Sequence, residues 1–301
     1  MTAARSRMRR LGAMAAVATI AAGCLGDGGP ASVPPSPTRE PEPTPVTRTY
    51  DVGGTVWYEG LVLHIDRVTA VLDARGGPVE VALRVDNPNV DAAEIQATIF
   101  LQVGGVPIRP TRDSRIPPIP AEGQVSAVMT YELQGVTSVD EASVQVGEGP
   151  NHAAFIPLTP AGGPTVTLEP QPLVLTGTGT AADLRITLKE GLQRWDLPDW
   201  SQQLPVDRQV ILVTFDATFE GGFTGGFPFN AASNVALRLP DGTDVPPRAD
   251  GHYRPVELIG PGRTKRNLTT RFEIPASVTG KVSFVVLAGG EEQLIPLVIP
   301  G

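Results

Sequence analysis

The side chains suited to chemistry are few and scattered. Cys24, in "IAAGCLGD" (20–27), is the single cysteine of 301 residues. His64 in "LVLHIDRV", His152 in "GPNHAAF" and His252 in "DGHYRP" stand far apart in unlike contexts. A zinc site needs three or four convergent ligands, and no spacing here supplies them, so neither metal nor cofactor is expected. No Ser occupies a G-x-S-x-G elbow. The Gly-rich "EGGFTGGF" (220–227) lacks the Lys and helix start of a phosphate loop. Without a nucleophile–base motif, the chain is not read as an enzyme.

Three clusters invite a binding reading. "DNPNVDAAE" (86–94) offers Asp86, Asn89, Asp91 and Glu94 as hard oxygen ligands of the kind calcium takes. The spacing is not that of an EF-hand, and the Pro and Asn have a local use in ending a strand and shaping a turn. "QRWDLPDW" (193–200) sets Trp195 and Trp200 around a Pro loop, with Phe223 and Phe227 following in "FEGGFTGGFPF" (219–229). Such rings could stack on a sugar or fill a partner's pocket. Equally, they could cover the open end of a sandwich or the seam between two domains. "RTKRN" (263–267) is a basic patch in an acidic protein, either a solvated loop or a contact for an anionic neighbour.

The context of Cys24 gives it a different chemistry. Arg5, Arg7, Arg9 and Arg10 precede a short apolar run, "LGAMAAVATIAAG" (11–23). That run falls short of the roughly 20 residues a membrane-spanning helix needs and reads as a secretory signal. The small residues Ala21, Ala22 and Gly23 then lead straight into the cysteine. This resembles the lipobox of bacterial lipoproteins, with Ala where the best-known form has Leu. The resemblance implies cleavage after Gly23, diacylglycerol on Cys24 through a thioether, and acylation of the new amine. Two or three acyl chains anchor firmly where one does not. Residues 24–48, "CLGDGGPASVPPSPTREPEPTPVTR", are Pro-rich and read as a disordered or extended tether.

Charge limits the partners. The chain carries 24 Lys and Arg against 32 Asp and Glu, a net −8. Loss of residues 1–23 removes four Arg and no acid, leaving 20 against 32 and a net −12. So acidic a chain argues against nonspecific nucleic-acid binding and against a polybasic membrane footprint. With its one cysteine acylated, it must hold by core packing alone.

The elements that would position these residues are strands. "VEVALRV" (79–85), "IQATIFLQV" (95–103), "SAVMTYEL" (126–133), "ASVQVG" (142–147) and "AAFIPL" (153–158) are short apolar or alternating runs. The second half adds "ADLRITLKEGLQRW" (182–195), "RQVILVTFDATFEG" (208–221), "NVALRLPDGTDVPP" (234–247), "NLTTRFEIP" (267–275), "GKVSFVVLAG" (280–289) and "EQLIPLVIP" (292–300). The Asp-Gly of "LPDGTD" predicts a hairpin with a primed turn. Turn signals about every ten residues predict an all-β chain of sandwiches or barrels. The halves also match in order, 97–133 with 233–274, and both close on an "IPL" segment. This repeat predicts two immunoglobulin-like β-sandwich domains in tandem, 49–160 and 165–301, with one larger sandwich as the alternative.

The second half, through "LRLPDGTDVPP", "LIGPGRTKRNLTTRFEIP" and "VSFVVLAG", resembles the telokin-like, immunoglobulin-like accessory domains of bacterial secreted proteins and lipoproteins. The first, through "RVDNPNVDAAEIQ", is also similar to the water-stress and hypersensitive-response fibronectin-like sandwich. Neither resemblance implies catalytic residues. The reading that follows is a lipid-anchored extracytoplasmic binding or structural protein, held to membrane lipid through acylated Cys24. Its partner would be an envelope protein or polymer. The alternative is a carbohydrate- or peptide-binding module using Trp195, Trp200, Phe223 and Phe227.

Overall fold

Strict alternation fixes the inner face of each long strand. Val79, Val81, Leu83 and Val85 are all essentially fully buried, and the residues between them face outward. A single period-2 run therefore supplies one row of a core. The computed structural model describes residues 44–175, 177–248 and 256–301. Cys24, the leader 1–23, most of the tether and His252 lie outside the described residues.

The described chain is essentially all β. Its first half runs β1 (Val46–Tyr58), β2 (Leu61–Leu72), β3 (Gly76–Asp86), β4 (Ile99–Val103), β5 (Val106–Ile108), β6 (Gln124–Gln134), β7 (Ser143–Val146) and β8 (Ala154–Pro157). The second half opens on the short strands β9 (Gln171–Pro172) and β10 (Val174–Leu175). It continues through β11 (Thr178–Ala181), β12 (Leu184–Arg194), β13 (Asp196–Leu197), β14 (Gln202–Gln203), β15 (Arg208–Phe219) and β16 (Phe227–Phe229). After the four-residue helix α1 (Ala231–Asn234) come β17 (Val235–Arg238), β18 (Asp244–Val245), β19 (Glu257–Ile259), β20 (Thr264–Pro275), β21 (Gly280–Ala288) and β22 (Glu291–Ile299).

Strand order repeats between the halves. The first pairs its strands as β1-β2-β3-β6 and β5-β4-β7-β8, all antiparallel. The second pairs them as β11-β12-β15-β20 and β18-β17-β21-β22, with β10 added at the edge. In both halves a hairpin in one sheet is followed by a long strand that joins the other, so each core takes side chains from two sheets. Leu63, Ile65, Val81 and Tyr131 meet Leu101, Val144 and Ile156 in the first core. Ile186, Phe215 and Phe272 meet Leu237, Phe284 and Ile295 in the second, where Phe284 packs 5.4 Å from Phe215 and 5.9 Å from Phe272 between ring centres.

Several boundaries differ from the sequence reading. β1 begins at Val46, so residues 46–48, read as the end of the tether, are strand. Val166 bridges back to Phe155 and Leu168 packs on the first core, so the chain leaves that core later than residue 165. The "LPDGTD" hairpin is present, since Leu237 pairs with Val245. Its turn is not the primed pair, however: Gly242 is at φ 86°, Asp241 is not at positive φ, and the Leu239 N–H donates to the Thr243 carbonyl at 2.8 Å. Two-residue loops with both residues at positive φ stand instead at Gly104-Gly105, at Gly289-Gly290 and at Glu59-Gly60, the last joining Tyr58 to its partner Leu61 with φ of 53° and 81°.

Residues 43–301 cluster as one compact unit, and the β1–β2 turn is where the halves meet. The Gly60 N–H donates to Asp196 Oδ2 at 2.7 Å, and the Glu59 N–H to Gln203 Oε1 at 3.2 Å. Beside them His152 N donates to the Leu204 carbonyl and Val206 N to the Pro150 carbonyl, each at 2.9 Å. Leu197, Leu204 and Val210 form a small third cluster near this junction.

Candidate functional site

Two adjacent β-bulges shape the outer face of the β11-β12-β15-β20 sheet. Leu188 pairs with Phe215 and Glu190 with Thr214, which leaves Lys189 as the extra residue of β12. Phe215 pairs with Leu268 and Ala217 with Lys265, so Arg266 and Asn267 together oppose the single Asp216. Bulges bend a strand and re-aim its side chains. These two bring Lys189, Asp216, Arg266 and Asn267 into one groove of about 830 Å³, which is also lined by Arg185, Thr187, Glu190, Thr214, Thr218 and Thr264. Every lining side chain is polar or charged.

Asp216 sits at its centre. Its carboxylate accepts from the Asn267 N–H at 3.0 Å and pairs with Lys189 Nζ at 3.1 Å. Partial burial pulls this carboxyl upward, but the Asn267 N–H, Lys189 and Arg266 outweigh it and leave the group below its ordinary range. Asp216 is therefore a fixed acceptor at neutral pH. Arg185 pairs with Glu220 at 2.7 Å. Across the strands, Thr218 shares a hydrogen bond with Thr264 at 2.9 Å and Thr178 with Thr187 at 3.1 Å. Each such hydroxyl keeps further hydrogen-bonding capacity. The sequence signal for this site was "RTKRN", which contributes Thr264, Arg266 and Asn267. The residues from β12 and β15 carried no signal, because only the register of three strands assembles them.

The aromatic candidates are not brought together. Trp195 and Trp200 follow the Arg194 end of the β12–β15 pair, and Phe223 and Phe227 follow its Phe219 end. At 3.2–3.4 Å per strand residue, the ten-residue ladder between Val210 and Phe219 separates the two sets by roughly 30 Å. Trp195 lies at the junction of the halves, its ring 6.5 Å from that of His152 in an edge-on arrangement. Trp200 is half exposed, and Phe223 is 69% exposed on its loop. Phe227 packs 5.7 Å from Phe219 and belongs to the rim of the second core. The ends of one hairpin cannot form a single stacking platform.

The acidic cluster also disperses. Asp86 gives Oδ2 to His64 Nε2 at 3.0 Å and turns Oδ1 toward Arg84 at 3.5 Å. Asn89 donates its amide to the Gly60 carbonyl and to Asn87 Oδ1. Asp91 engages Asn87 through its backbone carbonyl, and Glu94 is exposed. Among the described residues no group of three or more His, Cys, Asp or Glu side chains is placed to hold a metal ion. The organiser of the loop is Asn87, 2% exposed, whose amide donates to the Asp91 and Pro120 carbonyls and whose Oδ1 accepts from Asn89 N.

One arrangement was not legible in the sequence at all. Thr55 Oγ1 lies 2.9 Å from His64 Nδ1, so hydroxyl, imidazole and carboxylate line up as Thr55–His64–Asp86 across β1, β2 and β3. In a cleft with oxyanion donors such a line polarises a hydroxyl. Here it lies on the outer face of the β1-β2-β3-β6 sheet, beside Arg84, and ties three strands together.

No protein-family model matches this sequence, and no curated protein matches it as a relative.

Proposed function

We propose that the chain is a lipid-anchored, extracytoplasmic binding protein that works without catalysis. Acylated Cys24 attaches it to membrane lipid, the Pro-rich segment lets it stand clear of the headgroups, and two immunoglobulin-like sandwiches in tandem carry the binding surface. The repeated strand order and the two separate cores support the tandem reading. The acidic composition favours an envelope protein or polymer over nucleic acid as partner. The observation that carries the binding reading is the groove around Asp216, a wholly polar surface set on rigid strands.

Mass spectrometry of the mature N-terminus, after expression in a bacterium, tests the anchor. A diacylglyceryl thioether on Cys24 with residues 1–23 gone is expected, and a free thiol there overturns attachment. Cross-linking of the full chain in intact cells tests binding. Adducts with an envelope component that fade when the groove residue Arg185 is changed to Glu support the reading; adducts indifferent to that change oppose it.

A further inference from the structure

We infer that the groove around Asp216 binds a neutral, hydroxyl-rich glycan chain, an assignment that rests on the binding reading above. The first argument is charge. The lining holds three cations, Arg185, Lys189 and Arg266, against two anions, Glu190 and Asp216. Two of the cations are already neutralised, Arg185 by Glu220 and Lys189 by Asp216. Little net field of either sign remains to draw a polyanion or a polycation. A ligand without net charge needs no such field.

The second argument is hydrogen-bonding type. Asp216 and Glu190 accept only, Arg185, Lys189 and Arg266 donate only, and the hydroxyls of Thr187, Thr214, Thr218 and Thr264 do both. A sugar hydroxyl is itself donor and acceptor, so a chain of them can satisfy all three kinds at once. A peptide would bring apolar side chains to a lining that has no apolar residue, and peptides add to sheets along edges more than across faces.

The third argument is spacing. Arg185, Thr218 and Thr264 form one cross-strand row, and Thr187 with Asp216 the next. Rows and strands repeat at about 7 and 5 Å, comparable with the repeat of a pyranose chain. The bulges at Lys189 and at Arg266-Asn267 fix the end of the array, with Asn267 held at φ 55°, a conformation Asn tolerates.

An immobilised series of neutral β-glucan and N-acetylglucosamine oligomers, with polyuronate alongside, tests this with the full chain in detergent. Neutral oligomers are expected to bind with an affinity that changes little as salt is raised. The pair Thr187→Val and Thr218→Val removes two hydroxyls and keeps strand-forming shape, so binding should weaken by about tenfold or more with the melting temperature unchanged. Should that pair melt earlier than the parent, Arg266→Ala serves instead, since Arg266 is exposed and makes no ion pair among the described residues. Thr49→Val, at an exposed threonine of β1 in the first half, should bind as the parent does. The inference fails if no neutral oligomer binds, if groove variants bind as well as the parent, or if only polyuronate binds and salt abolishes it. Any of these leaves the Cys24 mass spectrum and the cellular cross-links standing, so failure of the glycan is distinguishable from failure of the binding reading.

Discussion

Asn87 spends both ends of its amide on backbone groups of its own loop and of the 120–123 segment. Asn87→Ala leaves two carbonyls and an N–H of this part-buried loop without their partner, at about 1–3 kcal/mol for a group so stranded. Urea titration should show a loss of about 2–3 kcal/mol, and an unchanged midpoint would refute that role. Glu59 offers a pH test. Its carboxyl is raised from the ordinary range, first by burial and further by the charge of Asp196, and hydrogen bonds from Gln96 and Ala97 only partly offset this. The folded chain thus holds this proton more tightly than the unfolded chain. Its contribution is complete below the ordinary carboxylate value and is lost as pH rises through the raised one. Glu59→Gln keeps an acceptor for the Gln96 N–H, 2.8 Å away, and removes the titration. Over that window the parent's melting temperature should fall relative to the variant's; parallel curves would remove Glu59 from the account.

The β1–β2 hairpin is the element on which the junction turns. Both residues of its two-residue loop are at positive φ, and a Cβ on Gly60 would come within 2.7 Å of Pro198. Gly60→Ala should therefore cost more than the ~1–2 kcal/mol of a left-handed non-glycine residue, read as a lowered urea midpoint. A variant as stable as the parent would show that the turn and Pro198 yield easily. This hairpin was barely legible beforehand. "VTRTYDVGGTVWY" is polar and glycine-broken, and Glu is an unusual first residue for a primed turn. Its position is held by what Glu59 touches: the Gln203 side chain and the Gln96 N–H. By contrast "VEVALRV" was legible, because alternation is a local property that names its own inner face.

For the whole molecule, the question is whether two cores melt as one. Asp196, 5% exposed, takes the Gly60 N–H from the first half and Nε and Nη2 of Arg194 from the second, at 2.8 and 3.2 Å. Removing one partner of a buried pair costs about 3–5 kcal/mol. Without Asp196 the Arg194 charge faces Arg271, whose own charge is already disfavoured by burial and by Arg194. Calorimetry of Asp196→Ala should resolve two transitions where the parent gives one. A single transition in the variant would mean the remaining contacts couple the halves unaided. The sequence by itself determined the β class, the repeat and the strand faces, because period-2 alternation and turn residues are properties of neighbours along the chain. It also carried the basic patch at 263–267, but not what that patch belongs to. Only the tertiary structure decided which residues share a site. Register and two bulges gathered Asp216, Lys189 and Arg266 from three strands, while the length of one hairpin set Trp195 and Trp200 apart from Phe223 and Phe227. Proximity across a sheet depends on pairing between distant segments, and no local pattern encodes it.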